Sequence, residues 1–571
     1  MEEYSAADTN QLLQAAADFA FHPGGHNEAS VKEFLARFPL PVIIKEMEVL
    51  EFGSVREGNS FFEERHLQRY GEELFSTQMF HFDPLLELNK GNALQRKEEV
   101  PGLENALVTC LERIFSTRYG TSLIPQYMSF LQVGLQADSD AVKCLACKIV
   151  SFLFENLDDK SVLPSQLIIT YNIYPMLLHC LVYGDERVAT ASMDAIKKFA
   201  SSPKGIATIF PAESNEATDL RHLAANCSSL GRVRVLSLIV KLFSVSRAVA
   251  AVISSSNLLN LIEVEVKKTD DTLATLSILE LLFEMAESEH STEFMPKTSL
   301  LQILGSIISN PSLETILRSR AMMISGRMLS RDTIFMLIDE TSILAIVSAI
   351  GHRLGSPEII DDNEIETAIE AVGQIGSSAS GAELLLSKSL DVVRFLGDAA
   401  FDRQRRSKQL AALHALGNVV GANRPENSIL KPGAEEILRR LIYEIASKTS
   451  KLTPSGLFLS LLQQDSETRV AAYRLISSLV VRPWCLMEVC SRQEIISIVT
   501  DAYMETTKIG MEARHNCCFS IHKALASTNL KSDSALAGIS GKLQEAVKRG
   551  PFLAERKSRE AQPTVTTDQR F

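Results

Sequence analysis

An apolar pattern with helical spacing recurs along this chain at intervals of 40 to 46 residues. In each copy, large aliphatic side chains fall three or four positions apart and follow a short polar turn, which is typical of an amphipathic helix. Equivalent early apolar positions in the clearest copies are Val142, Val188, Val233, Leu273 and Ile365. The first three steps are 46, 45 and 40 residues, and the last, 92 residues, equals two steps of 46. Such helices cannot bury their apolar faces alone, so the period predicts a stack of similar units.

Second amphipathic segments lie between these copies, at 174–183, 257–266, 341–350 and 493–503. Each unit therefore contains at least two helices, and the period matches the ~40–47 residues of armadillo and HEAT units rather than the shorter ankyrin or tetratricopeptide units. Strand signals are scarce, because the β-branched residues mostly lie inside the helical pattern and no Asn-Gly or Asp-Gly pair separates alternating runs. The sequence predicts an all-α fold, a right-handed α-solenoid of armadillo/HEAT-type repeats.

Three stretches depart from the period and set the predicted boundaries. Residues 1–100 are predicted to form a divergent N-terminal helical cap, which includes amphipathic segments at 31–52 and 61–75. The repeats are expected to fill residues 101–548, with an insertion at about 423–456 that lengthens one unit. Residues 549–571 are polar and are predicted to be a disordered tail.

The charge balance argues against a polyanionic partner. Lys and Arg total 58 against 70 Asp and Glu, a formal net charge of -12, which disfavours nucleic acid or an anionic membrane as the main ligand. The first twenty residues are acidic and lack an apolar run preceded by Lys or Arg, and no uncharged apolar stretch approaches the ~18 residues of a spanning helix. Nine cysteines are spread through helical segments, which is typical of reduced thiols. We expect a cytoplasmic protein, with the nucleus as a second compartment.

Motifs for common catalytic sites are absent from the sequence. It contains no GxxxxGKS/T, GxGxxG, HExxH or GxSxG segment, so nothing predicts a phosphate-binding loop, a zinc hydrolase or a serine nucleophile. Cys144 and Cys147 form a single CxxC, whereas a zinc site needs further ligands. A second group shares one predicted helix: His515, Cys517, Cys518 and His522. For both groups we favour buried thiols and surface histidines over metal binding, and we expect no catalytic residue, metal site or cofactor.

Two charged groups have structural interpretations. The acidic run from Asp361 to Glu366 precedes a predicted helix, where carboxylates favour the positive end of the helix dipole. The densest basic group, at 403–408, is expected to be a solvated turn, with recognition of an acidic partner or of the import machinery as the alternatives.

The segment AALHALGNVVGA (411–422) resembles the armadillo pattern in which two residues four apart project from the last helix of a unit onto the concave face. Here those residues are His414 and Asn418, which share one helix face because four residues make slightly more than one turn. The same register gives four further pairs: Asp194 with Lys198, Ser237 with Lys241, Glu370 with Gln374, and Arg474 with Ser478. We expect this set to contact a protein partner, although any single member is more often only a solvated polar residue. The tryptophan that importin-α-like grooves repeat at the first position is missing, since the only Trp is Trp484.

Three segments carry a resemblance to a known family: GDERVATASMDAIKKFASSPKGIATIF (184–210), EIETAIEAVGQIGSSASGAELLL (364–386) and ETRVAAYRLISSLVVRPWCLMEV (467–489). With the order of the repeats over roughly residues 100–530, they resemble the family of 26S proteasome non-ATPase regulatory subunit 5. The resemblance implies a non-enzymatic chaperone for assembly of the regulatory-particle base. It would cradle the C-terminal domain of an AAA ATPase subunit, delay docking on the core particle, and be a monomer before it binds. The alternative is a general armadillo-repeat scaffold or adaptor for another protein.

Overall fold

The computed structural model describes residues 6–22, 27–52, 102–156, 163–211, 218–355, 361–425, 429–527 and 534–552. Within these ranges the chain forms α-helices joined by short turns and a few single 3₁₀ turns, with no strand. Each helix packs mainly against helices close to it in sequence. The predicted all-α solenoid is therefore confirmed, and the right-handed sense of its superhelix stays a prediction.

The chain divides into two compact units, Met1–Ile262 (unit 1) and Glu263–Phe571 (unit 2). The division lies inside the predicted repeat region 101–548. The boundaries of the cap, the insertion and the tail stay predictions. The amphipathic segment at 61–75 and tail residues 553–571 lie outside the described residues.

In unit 1, one series of helices packs in succession: α4 against α7, α7 against α10, and α10 against α13. Its described helices are α1 Ala6–Phe21, α2 Glu28–Arg37, α3 Leu40–Phe52, α4 Leu103–Phe115, α5 Arg118–Leu123, α6 Met128–Leu135, α7 Asp140–Asn156, α8 Leu163–Thr170, α9 Ile173–Tyr183, α10 Glu186–Phe199, α11 Pro203–Ile209, α12 Leu220–Asn226, α13 Ser229–Phe243 and α14 Arg247–Ser255. The next helix, α15 Leu259–Val266, spans the point where the units divide.

Unit 2 repeats this arrangement, with a series in which α16, α19, α21, α24, α27 and α30 each pack against the next. A second row, α18, α20, α23 and α25, packs in the same way. The described helices of unit 2 are α16 Thr272–Glu287, α17 Ser291–Phe294, α18 Leu300–Ser309, α19 Thr315–Met328, α20 Glu340–Gly355, α21 Asp362–Ile375, α22 Ala379–Lys388, α23 Leu390–Phe401, α24 Arg406–Val420, α25 Pro432–Lys448, α26 Pro454–Leu462, α27 Ser466–Leu479, α28 Pro483–Ser491, α29 Gln493–Thr500, α30 Lys508–Ser527 and α31 Ser534–Arg549. We call α4, α7, α10 and α13 of unit 1, and α16, α19, α21, α24, α27 and α30 of unit 2, the ladder helices.

Local sequence signals determine where several ladder helices begin. Asp185, Ser228, Asp271 and Asp465 precede α10, α13, α16 and α27, and each side-chain oxygen accepts a hydrogen bond from a first-turn backbone N–H. These bonds satisfy donors that a helix start leaves open, at roughly 1 kcal/mol each. The polar turns that precede these four apolar copies are therefore helix caps, whereas α19 and α24 begin without a side-chain cap.

The apolar stripes form the core, but two of the five equivalent positions are not buried. Val142, Val188 and Ile365 are buried, as the period predicts, whereas Val233 is half-buried. Leu273 is instead 76% exposed, and the buried position near the start of α16 is taken by Thr275. The Thr275 hydroxyl donates to the carbonyls of Lys268 and Asp271, which satisfies a polar group inside the core. The choice of Leu273 as the equivalent apolar position was wrong, because a hydrogen-bonded threonine rather than the nearby leucine takes the inward position.

Among the described residues, no single helix is long and apolar enough to span a membrane, although the consecutive α14 and α15 reach that length and composition together.

Candidate protein-binding face

The ten residues predicted to contact a partner all lie on ladder helices. They are Asp194 and Lys198 on α10, Ser237 and Lys241 on α13, Glu370 and Gln374 on α21, His414 and Asn418 on α24, and Arg474 and Ser478 on α27. Asp194, Glu370 and His414 are exposed, and the other seven are half-buried. The sequence register therefore identifies solvent-facing rows on these helices, and their role in binding stays a prediction. We call the surface formed by these rows in each unit its ladder face.

On the ladder face of unit 1, an acid on one ladder helix pairs with a base on the next. Glu112 of α4 accepts from Lys148 of α7 at 2.7 Å, and Glu155 of α7 pairs with Lys198 of α10. Unit 2 has the same arrangement in two pairs between α16 and α19: Glu280 with Arg320, and Glu287 with Arg327. Pairs this exposed stabilise a fold by about 1 kcal/mol or less, so they mainly fix the orientation of the paired side chains.

In unit 2, Arg474 joins two of the predicted pairs. Its Nη1 donates to the carbonyl of His414 at 3.2 Å, and its Nη2 donates to the side-chain oxygens of Asn418 and Asn423. The Ser478 hydroxyl donates to the carbonyl of Arg474 at 2.9 Å. The structure thus brings His414, Asn418, Arg474 and Ser478 together. Glu370 and Gln374 bond only to each other among the described side chains, at 3.4 Å.

Glycines on two ladder helices allow the Arg474 contacts and the close approach of α21 to α24. A Cβ on Gly417 would lie 3.2 Å from Nη1 of Arg474, so the absence of a side chain leaves room for the guanidinium. A Cβ on Gly373 would lie 2.7 Å from the Cα of Ala415, so α21 and α24 approach closely because position 373 is glycine. Both glycines lie within copies of the repeated apolar pattern. The need for close packing, rather than for backbone freedom, explains why these positions are glycine.

Burial shapes the electrostatics of the same cluster. Partial desolvation by neighbouring residues, together with the positive charge of Arg474, lowers the pKa of His414 and favours its neutral form. Burial also lowers the pKa of Arg474. The positive charge of this cluster at neutral pH therefore resides on the arginine.

A groove lies between α27 and α30, and sequence reasoning did not identify it. It has a volume of about 710 Å³ and is also lined by the last residue of α24, Val420, and by residues just after that helix, including Arg424. Arg474 and Ser478 line it, together with Phe519 and Lys523 of α30. The available signal was the row of small or polar residues at helical spacing on α30, Ala513, Asn516, Ser520, Ala524 and Ser527, which leaves one helix face unfilled.

The acidic run 361–366 has two different roles. The carboxylate of Asp361 caps α21 by accepting from the backbone N–H of Asn363 at 3.0 Å, as predicted. Glu364, by contrast, is 1% exposed and accepts from Arg318 and from Arg353 at 2.8 to 2.9 Å. Glu364 lies in the first turn of α21, as predicted, but its carboxylate does not cap the helix and instead forms a buried ionic cluster that joins α19, α20 and α21, which the sequence analysis did not predict.

Residues 403–405 of the basic group form an exposed turn, as predicted, whereas Arg406 and Lys408 lie in the first turn of α24 and Lys408 is half-buried. Arg405 pairs with Asp362 at 3.0 Å, and Arg406 pairs with Asp465 and Glu467. These arginines contact the starts of α21 and α27, where the acidic residues cap or flank a helix. Their structural partners explain the basic cluster without a ligand.

The cysteine groups are mainly part of the core. Cys147, Cys517 and Cys518 are buried, whereas Cys144 is half-buried, so the CxxC pair is divided between core and surface. His515 and His522 are half-buried rather than on the open surface, and a ring nitrogen of His515 lies 3.3 Å from the carbonyl of Val547. No group of three or more His, Cys, Asp or Glu in the described part of the chain is placed to hold a metal ion.

Comparisons with known proteins give one consistent family. The sequence model of a family described as "Proteasome non-ATPase 26S subunit" matches residues 96–568. Cattle (Bos taurus) 26S proteasome non-ATPase regulatory subunit 5 is 21% identical over 436 residues, which cover 74% of this chain and 80% of the relative. The mouse (Mus musculus) protein of the same name is 21% identical over 457 residues, 78% of this chain and 85% of the relative. A crystal structure of an engineered protein is similar with a TM-score of 0.41 and 14% identity, covering 74% of this chain and 98% of that one.

Proposed function

Because this chain belongs to the proteasome non-ATPase 26S subunit family, we propose that it is a non-catalytic chaperone for assembly of the proteasome regulatory-particle base. The observation that carries the proposal is the family match, which runs from residue 96 to residue 568 and includes residues of both units. The relatives are named as non-ATPase regulatory subunits of the 26S proteasome, which supports a role connected with the proteasome.

The partner that we propose is the C-terminal domain of an AAA ATPase subunit of the base, held on the ladder face as the concave surface of the solenoid. The protein would be a cytoplasmic monomer before it binds, with access to the nucleus. Occupation of the ATPase domain would sterically delay its docking on the core particle. This mechanism requires a surface that holds a folded domain and no reacting group.

The charges of the ladder face suit a protein partner. Acidic and basic side chains alternate there, as in Asp194 near Lys198 on α10 and Glu370 and Arg474 on ladder helices of unit 2. A surface of mixed sign selects a partner with the complementary pattern and disfavours a uniform polyanion. The polar rows are supported by buried apolar stripes, so the helices can present these charges without losing their core.

Co-expression with each base ATPase subunit in turn, followed by purification under reducing conditions, tests the proposal. We expect one free ATPase subunit to co-elute with this chain in equal amounts. A version of that subunit without its C-terminal domain should not co-elute. Recovery of mature proteasome alone, or of no ATPase subunit, would contradict the proposal. Capture of an unrelated protein on the same surface would favour the general scaffold instead.

A further inference from the structure

The groove between α27 and α30 is open because small side chains face it from both helices. Ser477 and Ser478 face it from α27, and Ala513, Ser520 and Ala524 face it from α30. Side chains of this size leave a cleft of about 710 Å³ between two packed helices. Ligand sites in proteins span ~300–1,000 Å³, so the cleft has the size of a binding site rather than of a packing defect.

Large apolar side chains border this groove and remain exposed to solvent. Ile429 is 63% exposed, Val481 is 55% exposed and Phe519 is 46% exposed, and all three line the same cleft. A single exposed apolar residue is ordinary, but several that converge on one cleft indicate a surface that another molecule covers. The groove can therefore bury aliphatic or aromatic groups of a ligand.

The charged side chains among the described residues of the groove are all basic, in a chain whose formal net charge is -12. Its lining includes Arg424, Arg474, Arg482 and Lys523, and none of the described residues that line it is Asp or Glu. Arg482 is neutralised by Glu435, with which it forms two hydrogen bonds at 2.6 and 2.9 Å. The hydrogen bonds that Arg474 donates go to neutral oxygens of His414, Asn418 and Asn423.

Arg424, which also lines the groove, has buried N–H groups without a hydrogen-bond partner among the described residues. Its Nη2 donates to the carbonyls of Asn418 and Val419. Its Nε and Nη1 are buried and have no hydrogen-bond partner among the described residues. A buried donor without a partner costs roughly 1–3 kcal/mol, so an acceptor that reaches it is favoured. A carboxylate matches a guanidinium in both charge and geometry.

We infer that the α27–α30 groove binds an acidic peptide segment of a partner protein, with the carboxylates of the segment on Arg424 and Arg474 and its aliphatic or aromatic side chains against Ile429, Val481 and Phe519. The inference rests on the proposed function only in taking the ladder face to bind protein, and it specifies the chemistry of one contact. A nucleic acid would satisfy the arginines and stack a base on Phe519, but it would leave the aliphatic side chains of Ile429 and Val481 unmatched, so the combination favours a peptide.

Fluorescence anisotropy with the purified full-length chain tests this inference. The probes are three labelled ten-residue peptides, ELDFELDFEL, the acidic but non-apolar EGDSEGDSEG, and the apolar but basic KLRFKLRFKL, together with a ten-nucleotide oligothymidine. We expect ELDFELDFEL to bind at least about ten-fold more tightly than each of the others, which corresponds to ~1.4 kcal/mol. Equal or tighter binding of EGDSEGDSEG or oligothymidine, or no binding of ELDFELDFEL, would overturn the inference.

Two variants locate the binding. Lys523→Glu reverses an exposed charge in the groove, and Ala524→Trp fills the groove without a change of charge. Each is expected to weaken binding of ELDFELDFEL by about ten-fold or more, while Lys508→Glu, on the same helix but outside the groove, leaves it unchanged. Melting temperatures identify any variant that is unfolded, and binding that survives both folded groove variants would refute the site.

The peptide assay is independent of proteasome subunits. If no ATPase subunit co-elutes with the chain but ELDFELDFEL binds in the groove, the proposed function is contradicted and the groove inference is supported. If an ATPase subunit co-elutes but the peptide does not bind, the groove inference fails alone.

Discussion

Sequence spacing predicts which face of a helix a side chain lies on, but not which distant residues it contacts. The spacing of four that relates His414 to Asn418 is a property of one helix, so sequence alone placed both on the solvent-facing side of α24. Their contact with Arg474 spans 56 to 60 residues and depends on how α27 crosses α24. Glu364 likewise meets Arg318 across 46 residues, and no local pattern distinguishes it from an ordinary acid near a helix start.

Replacement of Glu364 by Gln is expected to destabilise the protein strongly. Burial alone would raise the pKa of Glu364, but hydrogen bonds and charge from Arg318 and Arg353 outweigh it and hold the pKa below its ordinary value. Glu364→Gln leaves two guanidinium groups without their anion, and removal of one partner from a buried ionic cluster costs about 3–5 kcal/mol. Chemical denaturation at pH 7 measures this loss. Glu366→Gln, on the same helix and half-buried, is the matched control and should change stability by less than ~0.5 kcal/mol.

The same cluster predicts a pH dependence. Because the folded state lowers the pKa of Glu364, its contribution is present above the unfolded-state pKa of about 4.3 and is lost as the pH falls through the lower folded-state value. Between neutral pH and pH ~3, the wild-type protein should therefore lose more stability than Glu364→Gln. Parallel losses in the two proteins would show that the ionised carboxylate does not stabilise the fold.

The helices were largely predictable because each carries its own signals. A polar cap such as Asp185 or Asp465 and the apolar stripe that follows it lie within one short segment of the sequence. The positions of the ladder helices α10, α21, α24 and α27 can therefore be predicted from the sequence. The register of α16 was not predicted correctly. Asp271 caps this helix two residues before Leu273, and the hydroxyl of Thr275 donates hydrogen bonds to nearby backbone carbonyls inside the core. A buried threonine with local acceptors cannot be distinguished from an exposed one by polarity alone.

Close approach of two ladder helices gives a second stability prediction. A Cβ at position 373 would meet the backbone of Ala415, which cannot rotate away as a side chain does, so Gly373→Ala should separate α21 from α24. We expect a destabilisation of about 1–3 kcal/mol, typical of overpacking. Gly433→Ala in α25 is the control, since a Cβ at that position would meet no atom within 4 Å and the change should be neutral or stabilising by up to ~1 kcal/mol. A similar melting temperature for both variants would refute the packing role of Gly373.

For the whole chain, the period predicted the architecture, and the resemblance predicted the family that the match to residues 96–568 shows. The division at Ile262 and Glu263 was not predicted, because the apolar pattern continues across it. The α27–α30 groove was also missed. Its volume depends on the distance between two helices, which tertiary packing sets, while the sequence shows only that one face of α30 carries small residues.

Charge reversal on the ladder face tests partner binding directly. Lys198→Glu combined with Lys241→Glu is expected to weaken binding of the co-eluting ATPase subunit by about five- to ten-fold, because reversed charges at an interface repel complementary groups. The melting temperature should change little, since both lysines are only half-buried and exposed ion pairs contribute about 1 kcal/mol or less. Lys204→Glu on α11, outside the ladder helices, is the control. Unchanged affinity of the double variant would exclude these two positions from the interface.

The most direct test of the central claim is site-specific photo-cross-linking in the complex with the ATPase subunit. A benzoylphenylalanine placed at Asp194 or at His414 lies on an exposed position of a ladder helix, whereas the same group at Lys204 or Arg440 lies on a helix outside the ladder. We predict adducts with the C-terminal domain of the ATPase subunit from positions 194 and 414 and none from positions 204 and 440. Adducts from the control positions alone, or a stable complex without adducts at 194 and 414, would contradict the claim that the ladder face holds the partner.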